Sequence, residues 1–137
     1  MISVTGTTGN YILQPVLIEK HSETIDWLSS SILWKSELNA FQKILDDRTS
    51  WITSIEGKKS LDHFQNLIIY YKGEVVDDLR KKLRDHESKL AKMLESKDET
   101  DTQYYKEHDG IMDQLEIFSN IFKQFRTEFF EFCRKAR

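Results

Sequence analysis

A chain of 137 residues is long enough to bury a core without disulfides or a structural metal, and five glycines with one proline are too few for a turn-rich β fold. Twenty basic against 23 acidic side chains leave a net charge of −3, which removes any global positive field and with it nucleic acid as an expected partner. The lone cysteine, Cys133, cannot form an internal disulfide, and no uncharged run approaches the roughly 20 apolar residues needed to cross a bilayer. A cytoplasmic chain with no membrane partner is expected.

The chain opens on Ile2-Ser3-Val4-Thr5-Gly6-Thr7-Thr8-Gly9, which resembles the strand and glycine-rich turn of a Rossmann dinucleotide site. That site needs a third small residue, a βαβ unit and an acid about 20 residues on. Ile12 takes the third position, and a helical pattern follows. Residues 1–20 are therefore expected to form a leader, partly disordered or packed on the bundle, with 21–137 a single helical domain.

Trp27, Ser31, Trp34, Leu38, Phe41 and Leu45 repeat at steps of three and four, with Ile25, Leu28, Ile32 and Ile44 widening the apolar face. Ser22, or Pro15 upstream, starts this first helix, and Arg48-Thr49-Ser50 ends it. The following stretch, Trp51 to Lys59, is too apolar for a solvated loop and should fold back as a turn of helix.

Ser60 is a plausible N-cap for the second helix. Its stripe reads Leu61, Phe64, Ile68, Tyr71, Val75, Leu79, Leu83, His86, Leu90 and Met93. Two successive steps of four after Tyr71–Val75 resemble a stutter, which locally unwinds a supercoil. Gly73 costs about 1 kcal/mol relative to Ala inside a helix and could divide the element, giving a four-helix bundle as the alternative. The third helix carries the clearest stripe, Tyr104, His108, Ile111, Leu115, Phe118, Phe122, Phe125, Phe129 and Phe132. Asp98, Thr100 and Asp101 are N-cap candidates, and the helix should span about Thr102 to Lys135, roughly 50 Å at about 1.5 Å per residue.

The fold class is all-α: an antiparallel bundle of three long helices with coiled-coil-like packing. That arrangement brings Leu90 near His108, His86 near Ile111, Leu79 near Phe118 and Phe64 near Phe132. A first helix folding back from Lys59 reaches only to about the level of His86. The far end is covered either by Tyr11, Ile12, Leu13, Val16, Leu17 and Ile18 or by a second chain; on the latter reading Tyr104, His108, His86, Leu90 and Met93 are the expected interaction surface for a protein partner or a second copy in a homodimer.

Motifs for chemistry are sparse. His21, His63, His86 and His108 stand singly, whereas metal-binding bundles draw on Glu-x-x-His or His-x-x-x-His pairs. His86 and His108 share one end of the bundle, so a metal ion or small ligand there is the alternative function. Their simpler role is to hydrogen-bond within the bundle, with Tyr104 or Tyr105 as partners. No cofactor is expected.

His86-Glu87 on a helix also suggests a phosphorelay bundle, but Ser88-Lys89-Leu90 replaces the basic and Thr/Asn-Pro continuation of that pattern. Arg80, Lys81, Lys82 and Arg84 form the densest basic cluster, yet from Asp77 to Glu99 seven acids offset seven bases, as on a solvated helix face. Trp27, Trp34 and Trp51 fit a core better than a ligand pocket. Cys133 and the serines lack a nucleophile's context, so the chain reads as a non-enzymatic interaction or scaffold module.

Trp34-Lys35-Ser36-Glu37-Leu38, His63-Phe64-Gln65-Asn66, Asp85-His86-Glu87 and Glu128-Phe129-Phe130-Glu131-Phe132 resemble segments of a group of small bacterial proteins built from long helices. The resemblance spans about Trp27 to Phe132. It implies a helical bundle and no activity.

Overall fold

The computed structural model describes residues 7–8, 11–12, 15–96 and 102–135. The fold is an all-α bundle of three long helices packed together. The first, α1, runs Pro15–Arg48 and continues into a 3-10 turn, Thr49–Trp51. The second comprises α2, Ile55–Tyr70, a π-helical segment, Tyr71–Val76, and α3, Asp77–Ser96. The third, α4, spans Thr102–Lys135, as its stripe predicts. Near the N-terminus Thr7 pairs with Ile12 and Thr8 with Tyr11 in antiparallel register. Gly6, Gly9 and Asn10, and the expected cap residues Asp98, Thr100 and Asp101, lie outside the described residues.

Of the two starts expected for the first helix, Pro15 is the one taken, so α1 includes Pro15–Lys20; proline suits a first helical turn because the amide it lacks would have no partner there. One boundary moves from its expected place. The second helix begins at Ile55, with Ser54 in place of Ser60 as its N-cap: Ser54 Oγ accepts from the Gly57 amide at 2.9 Å. Ile52, buried, folds over this first turn, while Trp51 lies exposed beside Arg48.

The helical path runs on through Gly73, and the π-helical segment explains the anomaly in its stripe. The buried position is Val76, not Val75, which is half-buried. From Ile68 the inward-facing positions step by three to Tyr71, by five to Val76, by three to Leu79 and by four to Leu83. A π turn holds one residue more than an α turn, so it absorbs the extra residue and returns the stripe to phase without a break. Gly73 sits there exposed, with nothing near where a side chain would begin.

The chain divides into two compact units: the described parts of Met1–Ser31 with Leu79–Leu115, and Ile32–Asp78 with Glu116–Arg137. In the second unit an aromatic core joins all three helices. Trp34 meets Phe118 edge-on at 5.0 Å, Phe41 stacks on Phe129 at 4.6 Å, and Phe64 lies 5.0 Å from Phe132, the pair expected from the sequence. Such ring pairs contribute about 0.5–1.5 kcal/mol each beyond the apolar area they bury. In the first unit Leu17, Leu90, Met93, Leu94 and Tyr104 form a cluster with Ile18 and Tyr105 against it.

Of the two covers expected for the far end, the N-terminal apolar residues supply one: Leu17 packs with Leu90, Met93, Leu94 and Tyr104. Tyr104, His108, His86, Leu90 and Met93 are all buried, so they do not form an open surface. There His86 meets His108 and Tyr104.

Two glycines should respond oppositely to alanine. A Cβ at Gly57 would lie 2.6 Å from Ile52 Cγ2 and 2.8 Å from Ser54 Oγ, so Gly57→Ala should lower unfolding free energy in urea by about 1–2 kcal/mol. Gly73→Ala, meeting nothing, should raise it by about 0.5 kcal/mol.

Candidate functional site

The polar residues of the first unit occupy positions that the three-and-four spacing assigns to the core. On α1, Leu17, His21 and Thr24 succeed one another inward; on α3, Leu83, His86 and Leu90; on α4, Tyr104, His108 and Ile111. His21, His86 and His108 are therefore buried by helix geometry, and each must find its partners inside.

They find them across helices. His86 Nδ1 lies 2.8 Å from Glu107 Oε1, His86 Nε2 lies 3.0 Å from His108 Nδ1, and His108 Nε2 lies 2.9 Å from Glu23 Oε1. A continuous chain Glu107–His86–His108–Glu23 results, drawn from α4, α3, α4 and α1. Lys89 donates to the other Glu107 oxygen at 3.2 Å. His21 Nδ1 pairs with Glu87 Oε2 at 2.5 Å. The Tyr104 ring covers His86 face to face, centroids 4.2 Å apart and planes 7° from parallel.

Acids adjacent to histidines in sequence point away from their own neighbour, as helix geometry requires, and serve a histidine on another helix. Glu87 follows His86 and binds His21. Glu107 precedes His108 and binds His86. No pairwise motif along one helix could reveal this exchange. The signal available in the sequence was the histidines' place on the stripes; Glu23 and Glu107, half-buried at its edge, carried none.

Burial dominates the protonation of the group. It pushes His86 below the ordinary histidine range; the Glu107 hydrogen bond pulls the other way, and the neighbouring His108 adds to the lowering. Burial would also raise Glu107, but hydrogen bonds from His86 and Lys89 together outweigh it and hold that carboxyl below the usual range. For Glu87 the balance is reversed. Burial exceeds the pull of His21 and raises it, consistent with a second oxygen, Oε1, that has no hydrogen-bond partner among the described residues. The Tyr104 phenol is raised by burial first and by the carboxylates of Glu87, Glu107 and Glu23 around it.

All four ring nitrogens of His86 and His108 are engaged, so neither residue has a lone pair directed at a ligand. Among the described residues no group of three or more His, Cys, Asp or Glu side chains is placed to hold a metal ion. A phosphoacceptor role for His86 conflicts with its complete burial. His63 is exposed against Phe64 and belongs to no cluster. Cys133 is buried, and burial pushes its thiol up, away from nucleophilic use. In the basic cluster Lys82 donates to Gln114 at 3.1 Å. Among the described residues no helix is long and apolar enough to cross a membrane.

Two open grooves reach the ends of the chain of bonds. One, about 340 Å³, is lined by Lys82, Asp85, Glu107, Gly110, Ile111 and Gln114. The other, about 430 Å³, is lined by Glu19, Lys20, Glu23, His108, Asp109 and Asp113 among others. The central histidine pair is thus buried, while both terminal carboxylates meet solvent.

No protein-family model, curated protein or solved structure matches the chain.

His86 makes acid the destabilising direction. The unfolded chain protonates this ring near pH 6.5 whereas the folded site resists it, so below that pH the unfolded state binds more protons and stability falls. The urea midpoint should drop between about pH 7 and pH 5, at about 1 kcal/mol per pH unit or less for a single proton. His86→Asn should flatten the profile; an unchanged slope would show that other groups set it.

Proposed function

We propose that the chain is a non-enzymatic helical interaction module that joins a second copy of itself through an apolar strip in the unit formed by Ile32–Asp78 and Glu116–Arg137. The observation that carries this reading is the exposure of Ile117 (61%) and Ile121 (44%), one turn apart on α4. Ile121 also lines a shallow groove of about 380 Å³ with Leu67, Tyr71 and Phe125, and Tyr70 lies exposed beside Tyr71 on the helix bearing that wall. Large apolar side chains gathered on one face are a feature of surfaces that bind protein.

The polar edge of the groove favours a second copy over a charged partner. Asn120, Gln124 and Glu128 supply two neutral amides and a single carboxylate. Each amide both donates and accepts, so the patch satisfies the demand of a two-fold contact that one surface complement itself. A strongly basic or acidic partner would find little to pair with there.

Light scattering or sedimentation equilibrium across a concentration series tests the proposal. The wild type should move from monomer to dimer mass, and the Ile117→Lys, Ile121→Lys double variant should weaken association about tenfold or more while its helical circular dichroism is retained. A wild type that keeps monomer mass at every concentration would overturn it.

A further inference from the structure

The distances along the buried chain set a proton count. Glu107 to His86, His86 to His108 and His108 to Glu23 are three hydrogen-bonded contacts, at 2.8, 3.0 and 2.9 Å. A carboxylate only accepts, so each terminal contact requires its proton on the imidazole. Two neutral imidazoles carry one N–H each, and both would be spent on the carboxylates. His86 Nε2 and His108 Nδ1 would then face one another as two lone pairs at hydrogen-bond distance in a fully buried site. We propose that the His86–His108 pair binds one additional proton, held between the two rings, and that this proton makes the packing of the unit pH-sensitive.

The surrounding charges fit that count. Glu23 from α1, Lys89 from α3 and Glu107 from α4 sum to −1, which one imidazolium neutralises. The other ionisable neighbours form a separate set: His21 from α1 is paired with Glu87 from α3, and Tyr104 from α4 stacks on His86. Beyond them, Lys82, Asp85, Glu19, Lys20, Asp109 and Asp113 border the solvent grooves. With the extra proton between His86 Nε2 and His108 Nδ1, His86 donates through Nδ1 to Glu107 and His108 through Nε2 to Glu23. The groove beside His108 and Glu23 supplies the route by which the proton exchanges with water.

A tetrahedral metal ion could not replace the proton without movement. Nitrogens bound to one zinc at about 2.0–2.1 Å stand about 3.3–3.4 Å apart, and a third and fourth ligand would have to come from groups already engaged. The spacing matches a shared hydrogen.

Loss of the proton leaves the two lone pairs opposed, so the folded state should hold it above the pH at which an unfolded histidine, near 6.5, releases its own. Stability contributed by the pair is then complete below that pH and is lost as pH rises through the folded-state titration. This alkaline loss is opposite in sign to the acid loss set by His86, and the two together place a stability maximum where the pair carries one extra proton.

Nitrogen-edited NMR of the histidine rings in the full chain tests the count directly. At neutral pH three ring N–H protons are expected on the pair, with the one between the rings shifted far downfield. One N–H on each ring would overturn the proposal. As a second measurement, the wild-type urea midpoint should fall between about pH 6.5 and pH 8, and the fall should disappear in His108→Gln. An equal fall in both proteins would overturn the proposal. If His108→Gln fails to fold, the wild-type proton count decides alone.

Discussion

The constraint on which the rest depends is that each inward position on the three helices must recur every three or four residues, or five across the π-helical segment, whatever side chain the sequence supplies there. In the unit formed by Ile32–Asp78 and Glu116–Arg137 the supply is aromatic, and packing follows from the hydrophobic effect and ring geometry. In the other unit the same positions receive His21, Thr24, Ser31, His86 and His108. Helix geometry buries them all the same, so the fold must satisfy them. Thr24 and Ser31 do so locally, donating to the Lys20 and Leu28 carbonyls at 2.9 and 2.6 Å. The imidazoles have no local solution and are joined across helices.

This division explains which parts of the fold were legible in the sequence. The α4 range and the Phe64–Phe132 pair followed from an unbroken apolar stripe. The start of α1 was legible only as a choice between Ser22 and Pro15, because Thr24 and His21 interrupt the apolar pattern beyond Trp27. The cover of Tyr104 was likewise left between the N-terminal apolar residues and a second chain, and Leu17 supplies it. At Tyr71–Val76 the error was one of period. Steps of three and four can pass through Val75, but a π turn passes through Val76, and no residue type announces that choice.

The candidate site was legible only in outline. Placement of His86 and His108 on facing stripes near one end was readable, and hydrogen bonding within the bundle was the simpler of the two roles weighed for them. The partners were not readable, since Glu23, Glu87 and Glu107 belong to helix edges where acids are ordinary. What distinguishes them is distance across helices. Nor did the sequence separate the exposed Ile117 and Ile121 from the aromatic core one position away, because a wide apolar face can pack inward on two neighbours or leave one edge bare.

The exchange of acids between helices has a consequence for how such a chain can change over generations. Each histidine depends on a residue encoded far from it: His21 on Glu87, His86 on Glu107, His108 on Glu23. Substituting the acid leaves its histidine buried without that partner, and the acid adjacent in sequence cannot take over because it faces another way. Related sequences, as they diverge, should therefore alter these positions in concert or leave them alone, tying three distant stretches of the chain into one unit of inheritance.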